Sequence, residues 1–188
     1  QIVSIFLGVM FGVTAARKPN GITSHFVTML SLVGYAAPVF WTGIMLIILF
    51  ASIVPIFPIG NMVDVSVERE GFAYIMDVLH HLVLPTVALS SIFLALYSRL
   101  ARASMLDVLG SDYVRTAQAK GLSEFQVVFK HALRNALLPV VTTAGLAFSG
   151  IVSGAVLVES VFSWPGLGTL AVQAIIARDT PTILGILF

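Results

Sequence analysis

The chain has 188 residues, of which 58% are hydrophobic and 10% are charged, with a formal net charge of +1. Soluble domains carry charge on about a quarter of their residues, so this composition and a mean hydropathy of +1.01 exclude an ordinary water-soluble globule, intrinsic disorder and, with no cysteine, a disulfide scaffold. The near-neutral charge gives no support for nucleic acid as a partner, and the class that remains is an all-α, polytopic bundle of transmembrane helices in a lipid bilayer.

Five apolar runs along the chain predict membrane-spanning helices. They lie at 2–16, 26–54, 82–103, 136–162 and from 182 onward. Each run is solidly apolar, without the alternation of a half-buried strand, which favours helices. Because a helix needs about 20 residues to cross the hydrocarbon core, the first and last runs are short. We therefore expect a fragment that is truncated within a span at both ends.

The sequence allows more than one structural interpretation at two places, one within the second run and one before the third. Pro38 and Trp41 lie within the second run, where they either shape a pathway or kink a helix that faces lipid. Residues 68–79 predict a short surface helix, whose apolar face packs on the membrane or on neighbouring helices. That face consists of Phe72, Ile75, Met76 and Leu79. His80 and His81 are then interfacial residues at a helix start, a more favoured interpretation than a metal pair because adjacent helical side chains diverge.

The distribution of basic residues predicts the orientation. One side of the membrane receives eight basic residues, which are Arg17, Lys18, Arg99, Arg102, Arg115, Lys120, Lys130 and Arg134. The other side receives only Arg69 and Arg178, together with six acidic residues. The side with eight basic residues, which includes 104–135, is predicted to be cytoplasmic.

Small residues in two runs are candidates for close helix packing. Gly8 and Gly12 share one helix face, as do Gly150 and Gly154. Such spacing allows two helices to approach closely, but it also arises by chance in membrane helices, so both interpretations stay open.

The hydrophilic segment 104–135 is well specified and begins with a predicted helix over 113–120. Asp112 is placed to cap this helix, and Gly121 is a typical residue to end it. The segment and its flanks contain nine of the chain's 19 charges, counted from Arg99 to Arg134. This concentration marks 104–135 as the chain's main polar feature.

A second helix is predicted from Ser123 to about Arg134, because Ser123 and Gln126 have the spacing of a capping box. Its apolar residues recur at three- and four-residue spacing, and they are Leu122, Phe125, Phe129, Leu133 and Ala136. Its polar residues are Glu124, Lys130, His131 and Arg134. An amphipathic, basic helix of this kind either lies passively on the membrane's inner face or offers a docking surface to a cytoplasmic partner.

Two stretches of this segment resemble the signature loop of permeases from bacterial binding-protein-dependent ABC importers. They are RTAQAKG at 115–121 and FKHALRNALLP at 129–139. The family pattern is Glu-Ala-Ala, three residues, Gly, nine residues and Ile-x-Leu-Pro. Ala117, Gly121 and Leu133 match it.

The departures from the pattern resemble one branch of that family. Arg115, His131 and Arg134 replace its Glu, Ile and Pro, as is usual in the dipeptide, oligopeptide and nickel branch. Tyr113-Val114 and the stretch VESVFSWPGLG at 158–168 are also similar to that branch. The resemblance extends over essentially the whole chain.

The resemblance implies an incomplete ABC importer permease domain over 1–188, with 104–135 as its cytoplasmic coupling loop. The helix from Ser123 would dock in a groove on a separate ATPase, so that closure of two ATPase subunits rocks the spans between inward- and outward-facing states. The implied partners are cytoplasmic ATPase subunits that hold ATP and magnesium, a second permease subunit and an external substrate-binding protein. The implied location is the bacterial cytoplasmic (inner) membrane, with several passes.

The candidate ATPase-coupling residues are Arg115, Ala117, Gly121, Ser123, Glu124, Phe125, Phe129, Lys130, His131, Leu133 and Arg134. Among these, Phe125 and Phe129 are candidate anchors, since aromatic residues often dominate binding energy. Glu124, Lys130 and Arg134 are candidate charge pairs that set the register of docking. Which of them touch the ATPase is our inference from the residue types.

No catalytic or cofactor-binding residue is predicted in the chain itself. The three lysines lack the Gly-rich context of a phosphate-binding loop, and the four histidines lack the spacing of a metal site or a triad. The resemblance implies import of di- or oligopeptides without hydrolysis by this chain, with nickel or glutathione-like solutes as alternative substrates. Substrate-binding residues stay unknown.

Two other classes compete with the permease. An ion-coupled secondary transporter would need buried acids or broken helices near the midplane, and a membrane-embedded enzyme would need a clustered polar site. Glu159 is the one acid well inside an apolar run. It either anchors a loop near the external end of its span or relays protons, and its position favours the anchor.

Overall fold

A computed structural model describes residues 1–148 and 155–186, with only the helical backbone of 149–154 and 187. Regular structure in the described residues is helical throughout, as the composition predicts. The elements are α1 (Ile2–Arg17), α2 (Ile22–Ala36), α3 (Val39–Ile47), the π-helical segment π1 (Ile48–Ile53), α4 (Gly71–Leu109), α5 (Asp112–Ala119), the π-helical segment π2 (Gln126–Ala132), α6 (Leu133–Ala136), α7 (Leu138–Val161), α8 (Leu167–Ala177) and α9 (Thr180–Leu187).

The chain divides into two compact units. The first contains residues 1–36 and 90–149, and the second contains residues 37–89 and 150–188. Helices α4 and α7 each contribute to both units. The units are described separately below.

In the first unit, α1 and α2 pack on the second half of α4. A Cβ added at Gly12 would lie 2.6 Å from the Cβ of Ala101, and one added at Gly8 would lie 2.8 Å from the Cβ of Tyr97. Both glycines therefore lie where the α1 backbone approaches α4 too closely for a side chain. A buried cluster continues from there toward 104–135 and includes Val13, Ala16, Met105, Val114, Ala117, Val127, Val128, Ala132 and Ala136.

In the second unit, Phe162 is 1% exposed and holds two segments together. Its ring lies 3.1 Å from the position a Cβ would take at Gly43 of α3. Its carbonyl accepts a hydrogen bond from the backbone N–H of Asn61 at 2.9 Å. Asn61 has φ of +66°, a left-handed conformation that asparagine tolerates better than most residues.

The second apolar run is not one uninterrupted helix. It breaks after Ala36, and Pro38, with φ of −60° and ψ of 138°, is the N-cap of α3. The residue before a proline avoids the helical region, which explains the break. Pro38 therefore lies at a break in the helix, and Trp41 is half-exposed. The choice between a pathway and a helix that faces lipid stays a prediction.

The prediction of a separate surface helix over 68–79 is wrong. Helix α4 runs without interruption for 39 residues from Gly71 and contains Pro85. His80 and His81 therefore lie inside the helix, and His81 Nδ1 bonds back to the carbonyl of Asp77 at 2.9 Å. Because these polar side chains find partners within the helix or next to it, they do not end it. Phe72, Ile75, Met76 and Leu79 are all exposed in the described structure.

By length and composition, α4 is apolar and long enough to cross a membrane, and the broken pair α2 and α3–π1 would add a second span if counted as one. Helix α1 and the described part of α7, 138–148, are apolar but shorter. Helix α8, also apolar with 11 residues, was not predicted from the sequence. Multiple passes therefore stay a prediction.

Candidate functional site

The candidate site begins after helix α5, which ends in a turn at Gly121. The N–H of Leu122 bonds to the carbonyl of Ala117 at 3.4 Å, and the N–H of Gly121 bonds to that of Gln118 at 2.9 Å. This pair of bonds is a Schellman motif, which needs a left-handed residue after the helix. Gly121 supplies it with φ of +76°, and nothing lies within 4 Å of a Cβ added there. The predicted helix end at Gly121 is confirmed.

The predicted start of α5 needs a correction. The N-cap residue is Ser111, and Asp112 is the first residue of the helix. Ser111 Oγ donates to the carbonyl of Val108 at 2.6 Å, which ties it to the preceding helix instead of to the N–H groups of α5. Asp112 still lies in the first turn, where a carboxylate is favourable to the helix dipole.

The capping box at Ser123 forms as predicted. Gln126 Oε1 accepts from the N–H of Ser123 at 3.2 Å, and Ser123 Oγ accepts from the N–H of Gln126 at 3.4 Å. The helix that follows is not a regular α-helix, because π2 occupies Gln126–Ala132 and only Leu133–Ala136 return to α-helical geometry.

The wider winding of π2 changes which side chains face the core. The buried residues are Val127, Val128, Ala132 and Ala136, at spacings of four and five residues. The predicted apolar face, at spacings of three and four, is therefore only partly correct. Phe125 and Phe129 lie outside the core, 67% and 41% exposed, with ring centroids 4.6 Å apart. Leu122 and Leu133 are half-buried against the cluster.

The remaining candidate coupling residues differ in how far their side chains are exposed to solvent. Ala117 is buried and His131 is half-buried. Arg115 is exposed and lies 3.7 Å from Asp112 of its own helix. The side chains that stay open to a partner, here called the exposed loop residues, are Glu124, Phe125, Phe129, Lys130 and Arg134.

One long-range contact joins this segment to α1 and a second joins two parts of the segment to each other, and sequence reasoning missed both. Arg17 at the end of α1 donates to Glu124 Oε1 from Nε at 2.9 Å and from Nη2 at 2.8 Å. Asn135 Nδ2 donates to the hydroxyl of Tyr113 at 2.8 Å. The sequence signal for the contact between Arg17 and Glu124 was the position of Arg17 at the end of an apolar run. The orientation argument used Arg17 only as one of the counted basic residues.

Glu159 is an anchor in the second unit. Its Oε2 accepts from the N–H of Thr169 at 2.8 Å, within the first turn of α8. Gly166 and Gly168 make room for the carboxylate, because a Cβ at Gly166 would overlap it and one at Gly168 would lie 2.9 Å from Oε2. This contact favours the loop-anchoring interpretation over a proton relay.

Residues 55–81 line a cavity of about 620 Å³ in the second unit. Asp77, only 4% exposed, accepts from Arg69 Nη1 at 2.7 Å and from the N–H of Asp64 at 2.8 Å. Hydrogen bonds from Ser66, first from its hydroxyl and then from its N–H, lower the pKa of Asp64. His80 Nε2 lies 2.9 Å from the carbonyl of Ile56. Among the described residues, no three metal-ligating side chains lie together.

The structure describes the surroundings of one of the two predicted glycine pairs. Gly8 and Gly12 lie at the close approach of α1 and α4 described above. Gly150 and Gly154 lie outside the residues whose surroundings the structure describes.

The regular structure of the described residues is helical, and α4 is apolar and long enough to cross a membrane, which fits an integral membrane protein. Residues 8–188 match the family described as binding-protein-dependent transport system inner membrane component. The chain belongs to this family.

Several curated relatives are similar to the chain over most of its length. The di/tripeptide transport system permease protein DppB of Pseudomonas aeruginosa is 44% identical over 94% of the chain and 56% of its own length. The oligopeptide transport system permease protein AppB of Bacillus subtilis is 42% identical over 97% of the chain and 57% of its own length. The dipeptide transport system permease protein DppB of Escherichia coli K12 is 41% identical over 98% of the chain and 60% of its own length. The chain thus spans a little over half the length of these relatives.

Proposed function

We propose that the chain is the core of a permease subunit that imports short peptides and is driven by ATP hydrolysis on a separate subunit. The observation that carries this proposal is the exposed pair Phe125 and Phe129 on a segment whose other side is packed in the core. Exposed aromatic side chains on a supported backbone are typical binding hot spots.

Several contacts support the exposed loop residues as a surface that transmits motion. Val127, Val128 and Ala132 pack behind them in one cluster with α1, α4 and α5. The ion pair from Arg17 adds a further attachment to α1, and the bond between Tyr113 and Asn135 joins α5 to the end of the segment. Because the segment is tied to the helices at several points, a push on Phe125 and Phe129 would move α1 and the second half of α4 with it.

The charged residues of 104–135 are suited to setting the register in which an ATPase subunit docks. The segment has four basic and three acidic residues, counted from the sequence. Lys130 and Arg134 are exposed, and neither takes part in an ion pair within the described residues. They are therefore available to acidic groups on an ATPase subunit, where they would steer and orient docking.

The proposed orientation follows the basic residues. The basic residues predict that 104–135 is cytoplasmic and that Arg69 and Arg178 lie on the opposite side, where a substrate-binding protein would deliver its substrate. A second permease subunit would complete the pathway. The substrate class rests on the names of the relatives, which transport dipeptides, tripeptides or oligopeptides.

The test is co-purification and transport with the full-length subunit. We expect F125A/F129A to lose most of the ATPase subunit that purifies with the wild-type permease, and to lose peptide uptake in the same proportion. F72A is the matched control, because Phe72 is 76% exposed but lies in the second unit. It should keep the ATPase subunit.

Two results would overturn parts of this proposal. Uptake that continues after ATP depletion with an ion gradient intact would identify a secondary transporter instead. Uptake of nickel or glutathione, without competition by di- or oligopeptides, would leave the permease class in place and change the substrate.

A further inference from the structure

The first unit contains a polar cavity of about 300 Å³ between α2 and α4. Its polar lining residues are Thr28, Ser31, Ser98, Arg99 and Arg102. No acidic residue lines it, and none of the ion pairs in the described residues includes Arg99 or Arg102. The cavity therefore combines two uncompensated positive charges with hydroxyl groups.

Two hydrogen-bond donors of the lining residues are buried and have no partner among the described residues. Arg102 Nε and Ser98 Oγ are both inaccessible to water, and neither has a hydrogen-bond acceptor in the part of the chain that the structure describes. The Ser98 residue is 1% exposed. Buried donors without acceptors are rare in proteins, and each calls for a ligand or another explanation. Thr28 differs, since its hydroxyl donates to the carbonyl of Ser24 at 2.7 Å.

Arg99 lies at the open side of the same cavity. It is exposed, and its Cζ lies 5.6 Å from the centre of the Tyr35 ring, which restrains the guanidinium by a cation–π contact. A planar guanidinium held in this way is suited to an oxyanion, because its N–H groups match the geometry of phosphate or carboxylate oxygens. Arg102 lines the same cavity and adds a second guanidinium to it.

The position in the chain indicates which oxyanion. Arg99 and Arg102 lie near the end of the apolar run 82–103 on α4, the helix that is long enough to cross a membrane. Basic pockets between helices at this depth are suited to lipid headgroups. Val27 and Leu32 line the rest of the cavity and are suited to the apolar start of a lipid.

We propose that Ser98, Arg99 and Arg102 form a phosphate-binding site between α2 and α4, with the phosphodiester of an anionic phospholipid as its occupant. This site is distinct from the exposed loop residues and does not depend on the transported substrate. A soluble inorganic phosphate has the same chemistry and is separated from the lipid by the experiment.

The experiment measures lipid retained by the full-length permease in its purified complex. Complexes are reconstituted with equal amounts of phosphatidylglycerol and phosphatidylcholine, and retained lipid is counted by native mass spectrometry. R99Q/R102Q should retain phosphatidylglycerol about tenfold more weakly, since a hydrogen bond to a charged group contributes enough for such a change. K18Q/K120Q, which removes two exposed positive charges elsewhere in the unit, should retain it like the wild type.

A second arm uses inorganic phosphate and phosphorus-31 NMR on lipid-depleted complexes. Phosphate binding that depends on Arg102, without any preference for phosphatidylglycerol, would support the site with a soluble occupant. R102K keeps the charge but lacks Nε, and S98A lacks the hydroxyl. Both variants should fold, because both substitutions are small, and both should bind phosphate more weakly. Equal binding by wild type, R102K and R99Q/R102Q in both arms would overturn the proposal.

Discussion

Arg17 and Glu124 are separated by 107 positions in sequence and are joined by two hydrogen bonds to one carboxylate oxygen. The contact fixes the end of α1 to the residue that precedes the exposed Phe125. The two side chains are 40% and 69% exposed, so water and salt screen their attraction. An exposed pair contributes only about 0–1 kcal/mol to stability, which makes positioning its more important consequence.

Breaking this ion pair should therefore affect transport more than stability. We expect R17Q and E124Q each to lower the free energy of unfolding by less than about 1 kcal/mol, while ATP-driven uptake falls severalfold because Phe125 loses its support. The measurement is a double-mutant cycle on uptake rates. The reversed pair R17E/E124R should recover much of the loss, and a reversed pair no better than either single variant would rule out a positioning role.

Replacing Gly12 should destabilise the first unit. A Cβ at Gly12 would lie 2.7 Å from the carbonyl oxygen of Ser98 and 2.8 Å from the backbone nitrogen of Arg102, so α1 and α4 would have to separate. Overpacking of this kind costs about 1–3 kcal/mol, and we expect G12A to lower the thermal midpoint in detergent accordingly. G145A is the matched control, since none of the described residues lies within 4 Å of a Cβ there, and it should unfold at or above the wild-type temperature.

Local sequence signals predicted the local structure of 104–135 well. Gly121 ends α5, and Ser123 and Gln126 form the capping box, because these features depend on residues within one helical turn. The wider winding of π2 was not predictable from a 3.6-residue period. As a result Val127 and Val128 are in the core, where the helical pattern had placed Phe125 and Phe129 on the apolar face.

Long-range contacts explain the other differences between the sequence and the structure. The carboxylate of Glu159 supports the start of α8, ten residues later, and the sequence showed no separate signal for that helix. Asp77 and His81 find partners inside or beside α4, so the polar stretch before the third apolar run does not interrupt the helix. Such partners are brought together only by the fold.

Neutralising Asp77 should destabilise the segment 55–81. Its two oxygens accept from Arg69 and from the N–H of Asp64, so the amide of D77N would direct N–H donors at an existing donor. An unsatisfied buried group costs about 1–3 kcal/mol, and we expect a loss of that size in thermal unfolding. E68Q removes an exposed charge nearby and should unfold like the wild type. A D77N protein as stable as E68Q would contradict the arrangement.

The pKa of Asp64 gives a prediction in acid. The hydroxyl of Ser66, which donates to Asp64 Oδ1 at 2.6 Å, is the main cause of its lowered pKa. A carboxylate with a depressed pKa stabilises the folded loop above the ordinary value of about 3.9, and that stabilisation is lost as the pH falls through the folded pKa. Carbon-13 NMR of labelled aspartate should show that S66A raises the pKa of Asp64. S66T keeps the hydroxyl and should preserve the low value.

Two substitutions of Glu159 distinguish the effect of its hydrogen bond from the effect of its charge at the start of α8. E159A removes the acceptor of the Thr169 N–H, and loss of such a cap costs about 0.5–2 kcal/mol. E159Q keeps an acceptor oxygen and loses only the favourable charge at the helix N-terminus, about 0.3–1 kcal/mol. We therefore expect hydrogen exchange in α8 to rise strongly in E159A and slightly in E159Q.

The control is S160A, whose hydroxyl is exposed and bonds only within its own helix, to the carbonyl of Val156. It should leave exchange in α8 unchanged. If Glu159 is an anchor, transport should fall in proportion to the loosening of α8 across these three variants. Abolished transport in E159Q with wild-type exchange in α8 would instead require the negative charge itself, as in a proton relay, because the anchoring hydrogen bond would still be in place.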